Sequence, residues 1–134
     1  MKGEIKIKVR GYHLDMFSHV NNARYLEFLE EARWEAFEKS KMPPQTFFDR
    51  NWSFIVVNIN INYKHPATFG ETITIKTELK KIKEKSIVLS QKIFLEKNNT
   101  LVIEADVTFV ILDNKKNKAI QITPEIKKEW FGNA

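Results

Sequence analysis

No cysteine occurs anywhere in the 134 residues. That excludes disulfides, thiol nucleophiles and zinc–thiolate centres, and it fits a reducing compartment. No apolar run approaches the ~18–20 residues that a membrane helix needs. The start, Met1-Lys2-Gly3-Glu4-Ile5-Lys6-Ile7, alternates charge with aliphatic residues and lacks the apolar core of a signal peptide. The expected location is cytoplasmic. No serine sits in a G-x-S-x-G elbow, so the usual hydrolase nucleophile is missing. There is no phosphate loop and no dinucleotide fingerprint. No internal repeat, low-complexity stretch or linker interrupts the chain.

What remains has the composition of an ordinary soluble domain, 43% hydrophobic and 29% charged. A single domain over residues 1–134 is expected, large enough to bury one core. The net charge is +5. Two lysine clusters supply much of the excess: Lys80, Lys81, Lys83 and Lys85, then Lys115, Lys116 and Lys118. Both fall between strand-like runs. They read as solvated hairpin tips or as a rim for a phosphorylated small molecule. Nucleic acid is not an expected partner, because no aromatic platform or recognition motif accompanies the charge. No membrane partner is expected either.

The periodicities predict an α+β layout. Ile5, Ile7 and Val9 alternate with Lys6, Lys8 and Arg10, which predicts a half-buried strand. From Asn22 to about Glu38 the pattern is helical. Tyr25, Leu29, Ala32 and Ala36 trace one face, and Leu26, Phe28 and Phe37 widen it. Pro43-Pro44 ends that helix and opens a connection holding Phe47 and Phe48. Four strand-like runs follow, over Phe54–Tyr63, Thr72–Leu79, Ile87–Glu96 and Leu101–Leu112. In the first, Ile55, Val57, Ile59 and Ile61 are placed on one face and Val56, Asn58, Asn60 and Asn62 on the other. Asn98-Asn99 and Asp113-Asn114 read as turns. Thr123-Pro124-Glu125 opens a short last helix.

The chemistry concentrates in one loop, Tyr12-His13-Leu14-Asp15-Met16-Phe17-Ser18-His19-Val20-Asn21-Asn22. A helix starting near Asn21 or Asn22 leaves its first N–H groups without intrahelical partners. Those groups favour negative charge in front of them, so a substrate carbonyl placed there would be polarised. Asp15 could attack that carbonyl or take a proton from water. His19 could orient the carboxylate or the water. Equally, Asp15, Asn21 and Asn22 could all be helix caps, and His19 a plain loop residue. His13 and His19 do not match the spacing of a helical metal pair, so no metal is expected. Asn58, Asn60 and Asn62 would face water, a subunit seam or a polar cleft. Ser86 reads as a turn residue, with a phosphate or pantetheine contact as the alternative.

The runs Val9–Asp15 and His19–Trp34 resemble the hotdog-fold acyl-CoA thioesterases of the 4-hydroxybenzoyl-CoA thioesterase type, in particular the branch acting on long-chain acyl-CoA in fatty-acid degradation. Val56–Tyr63 and Ala105–Val110 extend the resemblance along nearly the whole chain. It implies a curled antiparallel sheet wrapped around one long central helix. It implies a homodimer or homotetramer with sites at the subunit seam. It implies Asp15 as catalytic carboxylate, Asn22 as the helix-start N–H that polarises the thioester, and His19 in support. Plant acyl-carrier-protein thioesterases carry a similar D-x-N-x-H-V-N-N run, from which Phe17 departs by replacing the asparagine. The expected reaction is hydrolysis of medium- to long-chain acyl-CoA. No cofactor is expected, coenzyme A being part of the substrate. The alternatives are acyl groups on acyl carrier protein, or a non-catalytic acyl-CoA or lipid binder.

Overall fold

A computed structural model of the chain describes residues 1–132. Strand β1 (Lys2–Lys8) leads through a 3₁₀ turn at Gly11–His13 and a loop into helix α1 (Asn22–Glu38). A short helix α2 (Pro44–Asp49) precedes the strands β2 (Trp52–Tyr63), β3 (Thr72–Ile82), β4 (Ile87–Leu95) and β5 (Leu101–Asp113). A two-residue strand β6 (Lys118–Ala119) and helix α3 (Pro124–Phe131) complete the order. The sheet runs β1-β3-β4-β5-β2, all antiparallel, with β6 added beside β5.

Helix α1 lies across this curled sheet, chiefly over β1 and β3. Gly3 explains how close it comes: a Cβ there would sit 3.1 Å from the Cβ of Ala36. Six of the seven positions predicted for the helix's inner face are buried. Leu26 is the exception, at 38% exposure. Arg33, which the sequence reading did not include in that face, is buried to 6%.

The core falls into two apolar clusters along the helix. One gathers Val20, Tyr25, Phe28 and Leu29 with Ile73, Ile75, Ile93 and Ile103. The other gathers Phe37, Met42, Phe47, Leu89, Phe109 and Trp130. A buried polar layer lies between their helix residues. Arg33 Nη1 donates to Gln91 Oε1 at 3.0 Å, and Gln91 Nε2 donates to the Leu29 carbonyl (3.0 Å) and to Thr77 Oγ1 (2.9 Å). Burial lowers the pKa of the Arg33 guanidinium, with Glu30 working the other way.

Two predicted features change. The residues after Pro43-Pro44 form α2 rather than an open connection, with Pro44 in its first turn. In β2 the pairing with β5 slips between Val56 and Asn58. That bulge inserts one residue and reverses which side chains face inward. Phe54 and Val56 point to the core before it, Ile59 and Ile61 after it. Ile55 and Val57 are left exposed, at 42% and 55%, so they do not share a face with Ile59 and Ile61. Asn58, Asn60 and Asn62 are all exposed.

Candidate active site

The loop ahead of α1 is built from local rules. Asp15 N–H donates to the His19 carbonyl at 2.8 Å, and Ser18 N–H to the Asp15 carbonyl at 3.1 Å. Ser18 takes a left-handed conformation, φ 63°. This is a three-residue hairpin: a tight turn closed by one residue at positive φ. Leu14 and Val20 pair across it, and His19 pairs with Thr68. The Asp15 carboxylate braces the turn from within. Its Oδ1 accepts from Phe17 N–H at 2.8 Å and from His19 N–H at 3.4 Å. Oδ2 makes no hydrogen bond among the described residues.

The second wall is the segment after β2. Val20 N–H donates to the Ala67 carbonyl at 2.9 Å. A tight turn over Thr68–Glu71 follows, closed by Glu71 N–H on the Thr68 carbonyl at 3.2 Å. It needs positive φ at its third position, which Gly70 supplies at φ 82°. Glu71 secures it by accepting from Thr68 N–H (2.9 Å) and Thr68 Oγ1 (2.7 Å), with Lys97 3.0 Å away. Burial pushes the Glu71 carboxyl up, but these partners outweigh it and hold the group below its usual range.

Helix α1 supplies the third wall. Asn21 is the N-cap, its side chain accepting from Ala23 N–H at 2.9 Å, while Arg24 N–H goes to the Asn21 carbonyl at 2.9 Å. Asn22 is the first helical residue, so only Asn21 caps. The Asn22 N–H has no acceptor among the described residues. His13 holds the cap from behind: its carbonyl accepts Asn21 N–H at 2.9 Å, and its Nδ1 accepts Arg10 N–H at 2.9 Å. Burial, then the positive Arg24, lowers the His13 pKa.

Between these walls lies an open cavity of about 500 Å³, lined by Asp15, His19, Val20, Asn22, Tyr25, Tyr63, Lys64, His65 and Pro66. All three site residues named from the sequence reach it. The His19 ring makes no hydrogen bond to Asp15 among the described residues; it meets that carboxylate through its backbone N–H alone. Neither predicted lysine cluster lines the cavity. Lys80 is paired with Asp106 at 2.7 Å, and Lys115 and Lys116 donate their backbone N–H groups to Asp113. Lys64 is the lysine at its wall, beside His65.

Sequence reasoning missed Tyr25 and Tyr63 as site residues. Tyr63 Oη donates to the Asn22 carbonyl at 3.2 Å, and Tyr25 Oη accepts Ala67 N–H at 3.1 Å. The signal within reach was the aromatic end of β2 meeting Lys64-His65-Pro66, a polar strand exit closed by proline.

The combination of a half-bonded carboxylate, an open cavity and an unpartnered helix-start N–H suits addition to a carbonyl. Among the described residues no group of three or more metal-ligating side chains forms. Three likenesses concern the chain as a whole. The chain is 48% identical to the long-chain acyl-CoA thioesterase FadM of Escherichia coli, over 94% of this chain and 95% of that one. It is 31% identical to the chloroplastic acyl-acyl carrier protein thioesterase ATL2 of Arabidopsis thaliana, over 97% of this chain and 68% of that one. Its fold matches the crystal structure of the probable thioesterase YbaW from Escherichia coli with a TM-score of 0.89, 48% identity and 95% of both chains covered. The model of the Thioesterase-like superfamily matches residues 9–130, and with the hotdog architecture described above the chain belongs to that superfamily.

Proposed function

We propose that this chain hydrolyses the thioester of medium- to long-chain acyl-CoA, giving the free fatty acid and coenzyme A. The observation that carries the reading is the shared cavity of Asp15 and the Asn22 N–H. With the thioester oxygen on that N–H, the carbonyl carbon would lie in the cavity that Asp15 also lines. Asp15 then adds to the carbon directly, or takes a proton from a water that adds. In either course the C–S bond breaks, the thiolate leaves and recovers a proton, and one water is consumed overall. One preorganised donor at an oxyanion is worth ~2.7–4 kcal/mol of barrier. His19 lines the same space and supports the reaction by orienting water, since its ring has no other partner among the described residues.

The working unit in this proposal is a homo-oligomer. Strand β2 is a sheet edge twelve residues long, and it exposes Ile55 and Val57. Leu26 and Trp34 of α1 are each 38% exposed, and the Trp34 ring lies 5.7 Å from that of Phe54 on the same strand. A long sheet edge left open invites pairing with another chain. No described helix is long and apolar enough to cross a membrane, and the proposed setting is the cytoplasm.

The test is thiol release from acyl-CoA substrates of increasing chain length, with acyl carrier protein substrates in parallel. Turnover is expected to rise from short to long acyl-CoA. Saturable binding without thiol release at any length would make the chain a lipid binder instead. Turnover confined to the carrier protein would change the substrate class.

A further inference from the structure

Tyr25 sits at the fourth position of α1. It is buried to 4% exposure yet forms part of the cavity wall with Asp15 and Asn22. Its ring is held edge-on against Phe28 at 6.2 Å and against Tyr63 at 5.8 Å. Its hydroxyl oxygen accepts Ala67 N–H at 3.1 Å. Ala67 is itself fully buried, and its carbonyl is bonded to Val20 N–H. The oxygen is therefore fixed from both helix and loop.

The hydroxyl hydrogen is a different matter. It has no acceptor among the described residues, although buried tyrosine hydroxyls ordinarily find one. The neighbouring Tyr63 hydroxyl is already committed to the Asn22 carbonyl. Of the two phenols in the wall, only Tyr25 has a proton left to give. An O–H whose oxygen already receives a hydrogen bond is polarised into a stronger donor. Burial also raises the Tyr25 pKa, so the group stays protonated and acts as a donor, not as a base.

We propose that Tyr25 is a catalytic residue: its Oη–H is the second donor to the carbonyl oxygen of the substrate, alongside the Asn22 N–H. This rests on the thioester-hydrolysis reading and adds a side chain to it. In the addition step the C=O π electrons move onto oxygen, and both donors strengthen as that charge develops. No proton is transferred to the oxygen. When the C–S bond breaks, the electrons return and the hydrogen bonds relax. Tyr63 is a positioning residue here, since its hydroxyl pins the helix start and its ring backs Tyr25.

Tyr25→Phe keeps the ring and removes only the hydroxyl. With dodecanoyl-CoA as substrate, kcat is expected to fall on the order of 10²-fold, as for loss of one oxyanion donor, while KM stays nearly level. That variant also orphans the Ala67 N–H, so a second substitution keeps the hydroxyl. Incorporating 3,5-difluorotyrosine at position 25 preserves the bond to Ala67 but lowers the phenol pKa. The alkaline limb of the kcat profile should then move to lower pH, which a merely structural role would not produce. Wild-type kcat in Tyr25→Phe, or an unmoved alkaline limb in the fluorinated protein, overturns the assignment of Tyr25 and leaves the hydrolase reading standing. A wild-type protein that releases no thiol from any acyl-CoA overturns both.

Discussion

The two ends of α1 are finished in opposite ways. At its start, Asn22 and Tyr25 line a cavity of about 500 Å³, and the Asn22 N–H and the Tyr25 O–H have no acceptor among the described residues. At its end the space is filled by packed aromatic rings. Phe37 is 1% exposed and wedged among Phe47, Phe54 and Phe109, with ring centroids 4.7–6.2 Å apart. Helix α3 closes that end with Trp130 against Phe47 at 5.9 Å. Between the two lies the Arg33–Gln91–Thr77 layer. Buried polar groups demand specific partners, so this layer fixes how helix and sheet register. The difference teaches that rigidity and reactivity are supplied by separate regions. Tight aromatic packing at one end holds the helix so that its other end can keep donors open to a substrate.

The largest expected effect breaks the reactive end alone. Asp15→Asn keeps an acceptor for Phe17 N–H and His19 N–H, so the hairpin should survive. It removes the charge that drives addition or proton removal. Turnover should fall by ~10²–10⁴-fold, which is about 3–5 kcal/mol of barrier, while the unfolding midpoint moves little. Comparable thiol release by Asp15→Asn and wild type would remove the carboxylate from the chemistry. A large drop in midpoint would instead show that the charge holds the loop.

The next effect breaks the packed end alone. Phe37→Ala should cost ~3–5 kcal/mol of stability, a large share of the ~5–15 kcal/mol typical of a domain. Below its lowered transition temperature, the variant should retain nearly wild-type kcat. Denaturant midpoints and thiol release on the same sample check this. Loss of kcat in step with stability would mean that the two ends are not separable.

How much of this contrast could be read beforehand differs by end. The helix itself was legible, because seventeen residues at helical period outweigh local exceptions. Asp15, His19 and Asn22 were legible as candidates because they crowd into one loop ahead of a cap. The phase of β2 was not. A bulge adds one residue without any sequence mark, and everything before it turns over. Tyr25 was legible only as a core residue, since periodicity reports burial and not which hydrogen bonds a buried group lacks. Its partner Ala67 stands 42 residues away, and that pairing exists only once β2 has crossed the sheet. Arg33 was left out of the inner face for a related reason: a charged residue is buried when a distant partner, here Gln91, meets it.

The smallest expected effect sharpens the boundary of the reactive end. His13 lies behind the helix cap, 6% exposed, with its ring edge-on to Phe28 at 4.9 Å. Because Nδ1 accepts Arg10 N–H, the neutral ring carries its proton on Nε2. Protonating Nδ1 would break that bond and place a charge in a buried site beside Arg24, and the lowered pKa follows from this. The unfolded chain then binds the proton more readily than the folded one. The His13 contribution to stability is therefore full above its unfolded value of about 6.5. It is lost as pH falls from there toward the lowered folded value. Glu71 acts in a separate, more acidic window, its stabilisation fading only below about pH 4. His13→Asn keeps an oxygen for Arg10 N–H and removes the titration. It should lower stability at every pH through lost ring contacts, while flattening the decline that sets in as pH falls below about 6.5. Thermal melts of both proteins across that range decide the matter: parallel curves would show that the ring behind the cap titrates as freely as it does in the unfolded chain.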